Sequence, residues 1–326
     1  MRVLVTGAAG YIGSVVAEQL VEQGHAVLCT DNLRHGHLAA IHPGARFAQG
    51  DILDGAWLRS LLAANPVDAV VHLAAEALVD ESIRNPGLFY QVNVCGGLNL
   101  LDAMLAAGVT RIVFSSTAAV YGEPERVPLA EDARCLPVNP YGESKLTFEK
   151  ALQWYGRAYG LRHVSLRYFN ACGATARYGE NHLPETHLIP ILLEVALGQR
   201  ESIRLYGTDY ETPDGTCIRD YIHVIDIAQA HILALGRLDD LSGKVYNMGN
   251  QAGYSNREVI DMVGRVTGLV IPSVPASRRP GDPARLVASS QRIREELGWQ
   301  PCYPDLQTMV ETAWAWRREH PMGYAS

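Results

Sequence analysis

The sequence predicts an α/β fold in which a doubly wound parallel sheet is followed by a smaller C-terminal α/β lobe. Three observations support this prediction. Short β-rich runs alternate with helical patterns over the first half of the chain, a glycine-rich turn joins the first strand to the first helix, and the alternation stops near residue 170. Alternating strands and helices form right-handed βαβ units, which build a parallel sheet covered by helices on both faces.

The first lobe is predicted to contain six strands and the helices between them. The strands are Arg2–Thr6, Ala26–Thr30, Arg46–Gln49, Asp68–Leu73, Arg111–Ser115 and Arg162–Tyr168, and the helices are Tyr11–Glu22, Gly55–Ala64, Pro86–Ala107 and Tyr141–Tyr159. After residue 170, Gly- and Pro-rich stretches separate shorter elements. We therefore place the first lobe at 1–170 and the second at 171–326. Part of the second, about 218–250 with Asp226–Leu235 and Lys244–Met248, is expected to pack back onto the first.

Composition excludes several classes of partner. The 326-residue chain has a formal net charge of −7, which disfavours binding to nucleic acid because phosphate backbones need clustered Lys and Arg. No window reaches the ~20 apolar residues of a membrane span, and the strand at the N-terminus leaves no room for a signal peptide. Six scattered cysteines without a C-x-x-C pair favour reduced thiols over disulfides or a zinc site. We expect a cytoplasmic protein with no nucleic-acid, membrane or metal partner.

The glycine-rich turn Gly7-Ala8-Ala9-Gly10-Tyr11-Ile12-Gly13 follows the first strand directly and opens the first helix. Glycines at this point permit a tight turn and a close approach of the backbone to a pyrophosphate, while the helix N-terminus supplies unpaired N–H groups. Asp31 ends the second strand, where a carboxylate binds ribose hydroxyls and repels a 2′-phosphate. Strand, turn, helix and acid in this order predict a Rossmann-type site for NAD, a preference that Arg34 weakens slightly. The alternative is a glycine turn that only permits close helix packing.

Two further strand ends are predicted to approach the cofactor. Asp51-Ile52 closes the third strand and could reach the adenine, although an aspartate at a helix N-cap is also unremarkable. Leu73-Ala74-Ala75 ends the fourth strand with small side chains that suit close contact with a ligand, and core packing is the alternative.

The candidate catalytic pair is Tyr141 and Lys145. Residues four apart lie on one helix face, so the Lys145 ammonium can approach the Tyr141 phenol, and a nearby cation lowers the pKa of a phenol from about 10. Tyr141 could then accept a proton from an alcohol. Thr117 follows the fifth strand and is the candidate hydroxyl that binds the substrate oxygen and relays its proton. The alternatives are a surface Tyr–Lys pair and a Ser/Thr-rich loop that caps its own backbone.

These motifs together resemble the extended short-chain dehydrogenase/reductases and, among them, the UDP-glucose (UDP-galactose) 4-epimerases. The resemblance covers nearly the whole chain. Its most distinctive stretches are Asp31-Asn32-Leu33, Ser115–Gly122, Arg167-Tyr168-Phe169-Asn170, Ile218–Val224 and Arg278-Arg279-Pro280-Gly281-Asp282.

The resemblance implies a site for NAD and a site for a UDP-sugar. The cofactor residues that it implies are Gly7, Gly10, Tyr11, Ile12, Gly13, Asp31, Asn32, Asp51, Ile52, Leu73, Ala74, Ala75, Asn93, Ser115, Tyr141, Lys145 and Tyr168. The substrate residues are Thr117, Tyr141, Asn170, His187, Leu188, Tyr206, Arg219, Arg279 and Asp282. Among them, Arg219 and Arg279 would hold the diphosphate, Asp282 the uridine ribose, and Tyr206 would stack near the uracil. Guanidinium groups suit phosphate oxygens because their donors match the oxygens in pairs.

Differences within the family narrow the expected reaction. Related dehydratases and decarboxylases carry acids just after the catalytic threonine, where this chain has Ala118 and Ala119, so the chemistry is expected to stay at C4 of the sugar. Ala77 replaces a lysine near the nicotinamide side, which implies looser cofactor retention. Leu286 occupies a position that governs the C2 substituent and is intermediate in size.

Three functional hypotheses follow from the sequence. The first is interconversion of UDP-glucose and UDP-galactose. The second keeps the C4 chemistry with another UDP-sugar: an N-acetylhexosamine, xylose/arabinose or glucuronate. The third is a catalytically silent NAD-binding regulator, which the presence of Tyr141, Lys145 and Thr117 disfavours. Resemblance of the helices at 86–107 and 141–159 to a four-helix dimer contact predicts a homodimer.

Overall fold

The computed structural model of the protein describes residues 1–279 and 282–324. The strands are β1 (Arg2–Thr6), β2 (Ala26–Asp31), β3 (Arg46–Gln49), β4 (Ala69–His72), β5 (Arg111–Thr117), β6 (Arg162–Tyr168), β7 (Asn170–Cys172), β8 (Ile203–Tyr206), β9 (Ile218–Arg219), β10 (Tyr221–His223), β11 (Lys244–Met248), β12 (Tyr254–Ser255), β13 (Ser273–Ala276) and β14 (Arg285–Leu286).

The helices are α1 (Tyr11–Glu22), α2 (Gly55–Ala64), α3 (Val79–Arg84), α4 (Pro86–Phe89), α5 (Gly97–Ala106), α6 (Pro140–Tyr159), α7 (Leu188–Ala196), α8 (Val224–Gly236), α9 (Leu238–Leu241), α10 (Asn256–Thr267), α11 (Gln291–Leu297) and α12 (Leu306–Glu319). A π-helical segment, Tyr90–Gly96, joins α4 to α5, and short 3-10 turns occupy Leu38–Ala40 and Ala118–Tyr121.

One parallel sheet organises the first lobe. Its strand order is β11-β6-β5-β4-β1-β2-β3, and every neighbouring pair runs parallel. From β1 the chain moves outward to β2 and β3, and then returns to β4 on the other side. This reversal opens a crevice at the carboxyl ends of β1 and β4, where open α/β sheets bind their ligands. The predicted fold class is confirmed.

Most predicted elements of the first lobe are present with small changes at their ends. β1, α1, β3, α2 and β6 have the predicted bounds. β5 continues to Thr117 instead of ending at Ser115, which keeps the candidate hydroxyl within the sheet. The helix predicted at 86–107 is divided into α4, the π-helical segment and α5. Gly97 begins α5, and a Cβ there would lie 2.4 Å from the Phe148 ring, so glycine lets that ring pack directly on the helix.

Two hydrophobic clusters cover the two faces of the sheet. Successive residues of β1 point to opposite faces, as the period of a strand requires. Val3 and Val5 pack in one cluster with α1 and α8, whereas Leu4 packs in the other with α2, α5 and α6. Each large side chain that becomes fully buried contributes about 1.5–3 kcal/mol to folding, so both helix layers hold the sheet.

The later part of the chain contributes to both lobes. β11 pairs with β6 and extends the parallel sheet, and buried residues of α8 belong to the same cluster as those of α1. Elsewhere the chain forms small sheets with the orders β12-β9-β14, β13-β8 and β10-β7. A separate hydrophobic cluster packs α7, α10 and α12 together. The predicted boundary between the two lobes at residue 170 stays a prediction, because the positions of these strands and helices do not test it.

Within residues 1–279 and 282–324, no helix has the length and apolarity that a bilayer crossing requires.

Candidate active site

The three glycines of the turn between β1 and α1 have different constraints. Gly7 has a φ of +70°, and a Cβ there would lie 2.6 Å from the backbone nitrogen of Ala74. A Cβ at Gly13 would lie 2.0 Å from the Gly7 oxygen, so a side chain would push α1 away from the turn. At Gly10 the nearest atom would be 3.4 Å away. Packing therefore requires glycine at positions 7 and 13, whereas Gly10 leaves room for a ligand beside the helix.

The carboxylate of Asp31 lies beside this turn at the end of β2. It accepts hydrogen bonds from the backbone N–H groups of Ala9 (3.1 Å) and Leu33 (2.8 Å). Burial raises the pKa of Asp31, and these donors oppose the rise. Gly10 gives α1 no side-chain cap, so the first N–H groups of the helix are left for a ligand. The open cradle, the helix N-terminus and the carboxylate fit the pyrophosphate and adenosine ribose of a dinucleotide.

At the end of β3, the predicted cofactor residues form a local network. Asp51 accepts hydrogen bonds from the Leu53 backbone (2.8 Å) and from the Asn32 side-chain amide (3.0 Å). The side chain of Ile52 is buried in the core against Gly96. The structure therefore brings Asn32 and Asp51 together beside Asp31, while the Ile52 side chain supports the core.

The backbone after β4 is held close to the glycine turn. The Leu73 N–H donates to the Thr6 carbonyl at 3.1 Å, and the Ala74 N–H donates to the Thr6 hydroxyl at 3.3 Å. His72 Nδ1 lies 2.7 Å from the same hydroxyl. The segment at 73–75 thus begins beside the glycine turn, and its contact with a cofactor stays a prediction.

Beside this segment, Glu76 is buried and gathers two cationic side chains. Its carboxylate lies 3.2 Å from Arg34 and 3.0 Å from His35. The guanidinium of Arg34 is therefore paired with an acid, which reduces its ability to attract a 2′-phosphate. Ala77, the position where a lysine is expected from the resemblance, is exposed.

The candidate catalytic pair lies on α6, whose start is fixed by its cap. The Asn139 side chain accepts a hydrogen bond from Gly142 N–H at 2.8 Å, and Pro140 occupies the first turn. Lys145 is buried, and its ammonium donates to the Ser115 carbonyl at 2.9 Å. α6 thereby presents Lys145 to the carboxyl end of β5, beside the glycine turn.

The electrostatics of this pair differ from the expectation. Burial raises the pKa of Tyr141, and a hydrogen bond with Thr117 opposes that rise. Burial also lowers the pKa of Lys145 to about 7, although Glu149 acts in the opposite direction. In this structure the effect of burial on Tyr141 is larger than any lowering by the lysine, whose ammonium is turned toward the Ser115 carbonyl and lies 5.0 Å from the centre of the Phe114 ring.

Three of the predicted cofactor residues brace the site through bonds within the protein. The Asn93 side chain accepts a hydrogen bond from Glu76 N–H at 2.8 Å and donates to the Ser144 hydroxyl at 2.9 Å. Asn93 therefore ties the segment after β4 to α6. The hydroxyls of Ser115 and Tyr168 are hydrogen-bonded to each other where β5 and β6 run side by side.

At the start of α1, the side chains of Tyr11 and Ile12 point into the protein. The Tyr11 hydroxyl donates to the Gly173 carbonyl at 2.6 Å, and Ile12 packs against the core. The backbone N–H groups of these two residues are consequently the atoms that could meet a ligand.

A buried ion pair between α6 and β6 was not predicted from the sequence. Arg167 on β6 binds Glu149 on α6 through two contacts, of 2.6 and 2.9 Å. Arg167 also donates to the Tyr121 hydroxyl at 2.9 Å, and Ser116 donates to Glu149. Two signals could have revealed the pair: Glu149 lies one helical turn beyond Lys145, and Arg167 is a charge within an otherwise buried strand.

The substrate residues of the second lobe lie around β9 and β14. Arg219 forms an ion pair with Asp282 at 3.2 Å and also donates to the Pro283 carbonyl at 2.8 Å. These strands are parallel, with Arg219 in register with Leu286. Leu286 packs against the cluster that contains Ala118, so it lies close to the end of β5.

Arg279 and Tyr206 are also brought together. The guanidinium carbon of Arg279 lies 4.2 Å from the centre of the Tyr206 ring, a cation–π contact. Tyr206 ends β8, where the resemblance implies stacking near a base. Two residues of the neighbouring motif, Pro280 and Gly281, lie outside the described residues.

Asn170 is the first residue of β7, and His187 immediately precedes α7. The Asn170 amide donates to the Asp220 carbonyl at 2.8 Å, where β7 pairs with β10. His187 precedes Leu188, the first residue of α7. Burial lowers the pKa of His187, but Glu180 and Glu185 outweigh this effect and raise it to about 10.

Comparison with known proteins identifies the family. The model of the NAD dependent epimerase/dehydratase family matches residues 3–249. A UDP-glucose 4-epimerase of Halalkalibacterium halodurans is 52% identical over 330 residues, covering 100% of this chain and 98% of the relative. A crystal structure of a UDP-glucose 4-epimerase has a TM-score of 0.97 at 49% identity and covers 100% of both chains. The Bifidobacterium longum UDP-glucose 4-epimerase, solved with NAD+ and UDP, has a TM-score of 0.95 at 36% identity, covering 99% of this chain and 100% of that one. The resemblance seen in the motifs is confirmed, and the chain belongs to the NAD-dependent epimerase/dehydratase family.

Proposed function

We propose that this enzyme interconverts UDP-glucose and UDP-galactose by NAD-dependent epimerisation at C4. The observation that carries the proposal is the packing of the start of α6, which holds Tyr141, against the residues that follow Thr117 at the end of β5, together with the bond from Lys145 to the Ser115 carbonyl. This arrangement supports a role for the Thr117 and Tyr141 hydroxyls in proton transfer at the carboxyl end of a dinucleotide-binding sheet. High identity to UDP-glucose 4-epimerases over the whole chain supports the substrate.

In this mechanism the protein's own residues move the proton and hold the substrate. Burial raises the pKa of Tyr141, and the positive charge of an oxidised nicotinamide would oppose that rise and favour the phenolate. As the phenolate, Tyr141 would accept the proton of the 4-hydroxyl, and Thr117 would bind the same oxygen and steady it. NAD, held by the glycine turn at residues 7–13 and by Asp31, would supply the group that accepts a hydride from C4 and gives it back. Lys145 donates to the Ser115 carbonyl and thereby anchors the end of β5.

Rotation of the 4-keto sugar between the two hydride transfers requires firm binding of the diphosphate and loose binding of the sugar. Arg219 and Arg279 are assigned to the diphosphate because guanidinium groups pair with phosphate oxygens. Ala118 and Ala119 follow Thr117 and have no group that could transfer a proton at C5 or C6. The reaction is therefore limited to C4.

The test is direct. Tag-free protein with NAD is incubated with UDP-galactose, and the UDP-glucose formed is quantified by chromatography. The expected result is an equilibrium mixture of both sugars, reached from either side. Absence of UDP-glucose in the presence of NAD would overturn the proposal.

A second candidate is 4-epimerisation of other UDP-sugars, and the position of Leu286 is the observation that favours it. Leu286 lies in register with Arg219 and packs near Ala118, so its size limits the space beside the sugar. A leucine leaves more room than a tyrosine would. Turnover measured for UDP-N-acetylglucosamine, UDP-xylose and UDP-glucuronate beside UDP-glucose separates the two candidates.

Assembly and location are also proposals. Ile83 and Tyr90, around α3 and α4, and Trp154 and Tyr159, on α6, are large apolar side chains that remain exposed. Apolar surface of this kind suits a homodimer contact through these helices. Sedimentation of the protein and of Trp154→Arg tests it, with a shift toward monomer expected for the variant. The cytoplasmic location rests on the cysteine spacing.

A further inference from the structure

Outside the proposed catalytic groups, one cluster of metal-ligating side chains lies in the segment that leads into α7. Its members are Glu180, His182, Glu185 and His187, which we call the Glu/His cluster. One potential ligand atom from each residue lies within 4.8 Å of those of the other three. Four donors from eight consecutive residues converge because the chain turns back on itself immediately before the helix begins.

The distances within the cluster match the spacing of ligands around one ion. His187 Nδ1 lies 2.8 Å from a Glu180 oxygen and 3.1 Å from a Glu185 oxygen. His182 Nδ1 lies 3.3 and 3.6 Å from oxygens of the same two carboxylates. Tetrahedral zinc with bonds of about 2.0–2.2 Å holds its ligands roughly 3.4 Å apart, so small shifts of these side chains would complete a coordination shell.

The two buried carboxylates of the cluster need positive charge, which in this structure comes from the two histidines and which a bound cation could replace. The side chains of Glu180 and Glu185 are only 8% and 4% exposed. Throughout residues 1–279 and 282–324, neither carboxylate forms an ion pair with a Lys or Arg, in contrast to Glu149, which binds Arg167. Buried carboxylates are costly unless a counter-charge or a metal is present.

A buried polar atom supplies a second, independent indication. Nδ1 of His182 is inaccessible to solvent, and among the described residues no hydrogen-bond partner satisfies it. It nevertheless lies between the two carboxylates. At these distances, a protonated imidazole in a simple ion pair would point its N–H at one of the carboxylate oxygens. The orientation is better explained if Nδ1 of His182 is unprotonated and directs its lone pair toward an ion held by the Glu/His cluster.

We propose that Glu180, His182, Glu185 and His187 bind one divalent transition-metal ion of the zinc class. Two imidazole nitrogens and two carboxylate oxygens form a donor set that suits zinc or cobalt better than calcium or magnesium, which prefer oxygen alone. Metal binding would displace the protons of the two histidines, after which one divalent ion balances the charge of the two carboxylates. Cysteine spacing, on which the expectation of no metal rested, gives no sign of this site. The pattern Glu-x-His-x-x-Glu-x-His at 180–187 was the available signal.

Metal binding would also fix the approach to α7. His187 is a ligand in this proposal and immediately precedes Leu188, and the two residues are assigned to the nucleotide under the proposed function. The consequence for substrate binding therefore rests on that function, whereas the metal site itself does not. A measurement of metal binding can fail or succeed independently of epimerase activity.

The experiment uses tag-free protein stripped with a chelator and then titrated with Zn²⁺ by calorimetry and with Co²⁺ by visible absorption. We expect one ion per chain, a visible d–d absorption of Co²⁺ in a low-symmetry site, and a rise in Tm on addition of Zn²⁺. His182→Gln and Glu180→Gln should each weaken binding at least 100-fold. His320→Gln, which removes an imidazole outside the cluster, should bind as the unaltered protein does.

Circular dichroism establishes that each variant is folded before titration. Absence of one-to-one binding by the unaltered protein would overturn the proposal. Equal affinity of His182→Gln and the unaltered protein would overturn it as well, since the ion would then lie elsewhere. If one variant fails to fold, the other supplies the same comparison.

Discussion

The predicted cofactor half of the crevice, around the glycine turn, and the predicted substrate half, around β9 and β14, are shaped by different means. The cofactor half is formed by backbone: Gly7 and Gly13 are in contact with neighbouring main-chain atoms, and a Cβ at either position would overlap them. The substrate half is formed by charged side chains that already bind one another. Arg219 pairs with Asp282, and Arg279 lies over the Tyr206 ring.

This difference indicates how each half responds to its ligand. A backbone cradle is rigid, so its shape is present before any ligand binds, and its affinity depends on steric fit. Paired side chains must exchange partners when a diphosphate arrives, so part of the binding energy is spent on separating Arg219 from Asp282. We expect substitutions in the cofactor half to change stability and NAD binding, and those in the substrate half to change KM.

Tyr141→Phe tests the point where the two halves meet and should have the largest effect. Loss of the phenol removes the proton acceptor, so kcat should fall about 10³-fold, a typical value for general acid–base catalysis. NAD released on denaturation should be unchanged. Tyr155→Phe is the matched control on the same helix, because its hydroxyl binds Asp102 and not the site. Unchanged turnover of Tyr141→Phe would contradict the assignment.

Gly13→Ala and Gly10→Ala separate packing from ligand contact in the cofactor half. A Cβ at Gly13 overlaps the Gly7 oxygen, so we expect a loss of about 3 kcal/mol in the free energy of unfolding. The free energy of unfolding of Gly10→Ala should lie within about 1 kcal/mol of that of the unaltered protein. The same variant should bind NAD at least 10-fold more weakly. Chemical denaturation and NAD titration measure the two quantities. Equal destabilisation by both variants would show that the open space at Gly10 has no special role.

Arg219→Lys tests the substrate half. Lysine keeps the charge but loses the paired donors, so KM for the UDP-sugar should rise about 10-fold or more, with a smaller change in kcat. Arg278→Lys is the control, because Arg278 is exposed and pairs with Asp209. Steady-state kinetics give KM for both variants. Similar KM values for the two would argue against a role of Arg219 in binding the diphosphate.

Thr117→Val should give the smallest effect, seen as a change in pH dependence. The hydrogen bond of Thr117 opposes the burial that raises the pKa of Tyr141. Without that bond the pKa of Tyr141 rises further, so the phenolate forms at higher pH and the increase of kcat with pH should move to higher pH. Thr117→Ser retains the hydroxyl and should keep the original profile. A shift to lower pH in Thr117→Val would contradict this view.

Much of the cofactor half could be predicted because its signals are local. The turn at residues 7–13 lies within one strand–helix unit, and the bounds of β1 and α1 agree with the prediction. The hydrophobic alternation of β6 likewise reflects burial by neighbouring layers. The assignment of Asp31 to the end of β2 needed only the length of the preceding elements.

The substrate half was less predictable because its contacts join distant segments through very short strands. β9 and β14 each have two residues, too few for any periodicity, and they come together from positions far apart in the chain. The pairing of Arg219 with Asp282 and that of Glu149 with Arg167 depend on this topology. The opposing effect of burial on the pKa of Tyr141 required knowledge of the side chain's surroundings, which spacing on a helix does not supply.

The position of β11 at the edge of the sheet has a consequence for biosynthesis. β6 ends at residue 168, whereas β11, the strand that pairs with its outer edge, ends only at residue 248. At about 5–20 residues per second, a ribosome takes several seconds to supply the missing strand, and during this time the backbone N–H and C=O groups on the outer edge of β6 have no partner strand. A chain that stops near residue 170 would keep this edge permanently and would be prone to aggregate. Expression of residues 1–170 alone is therefore expected to give insoluble protein, whereas residues 1–250 include every strand of the sheet.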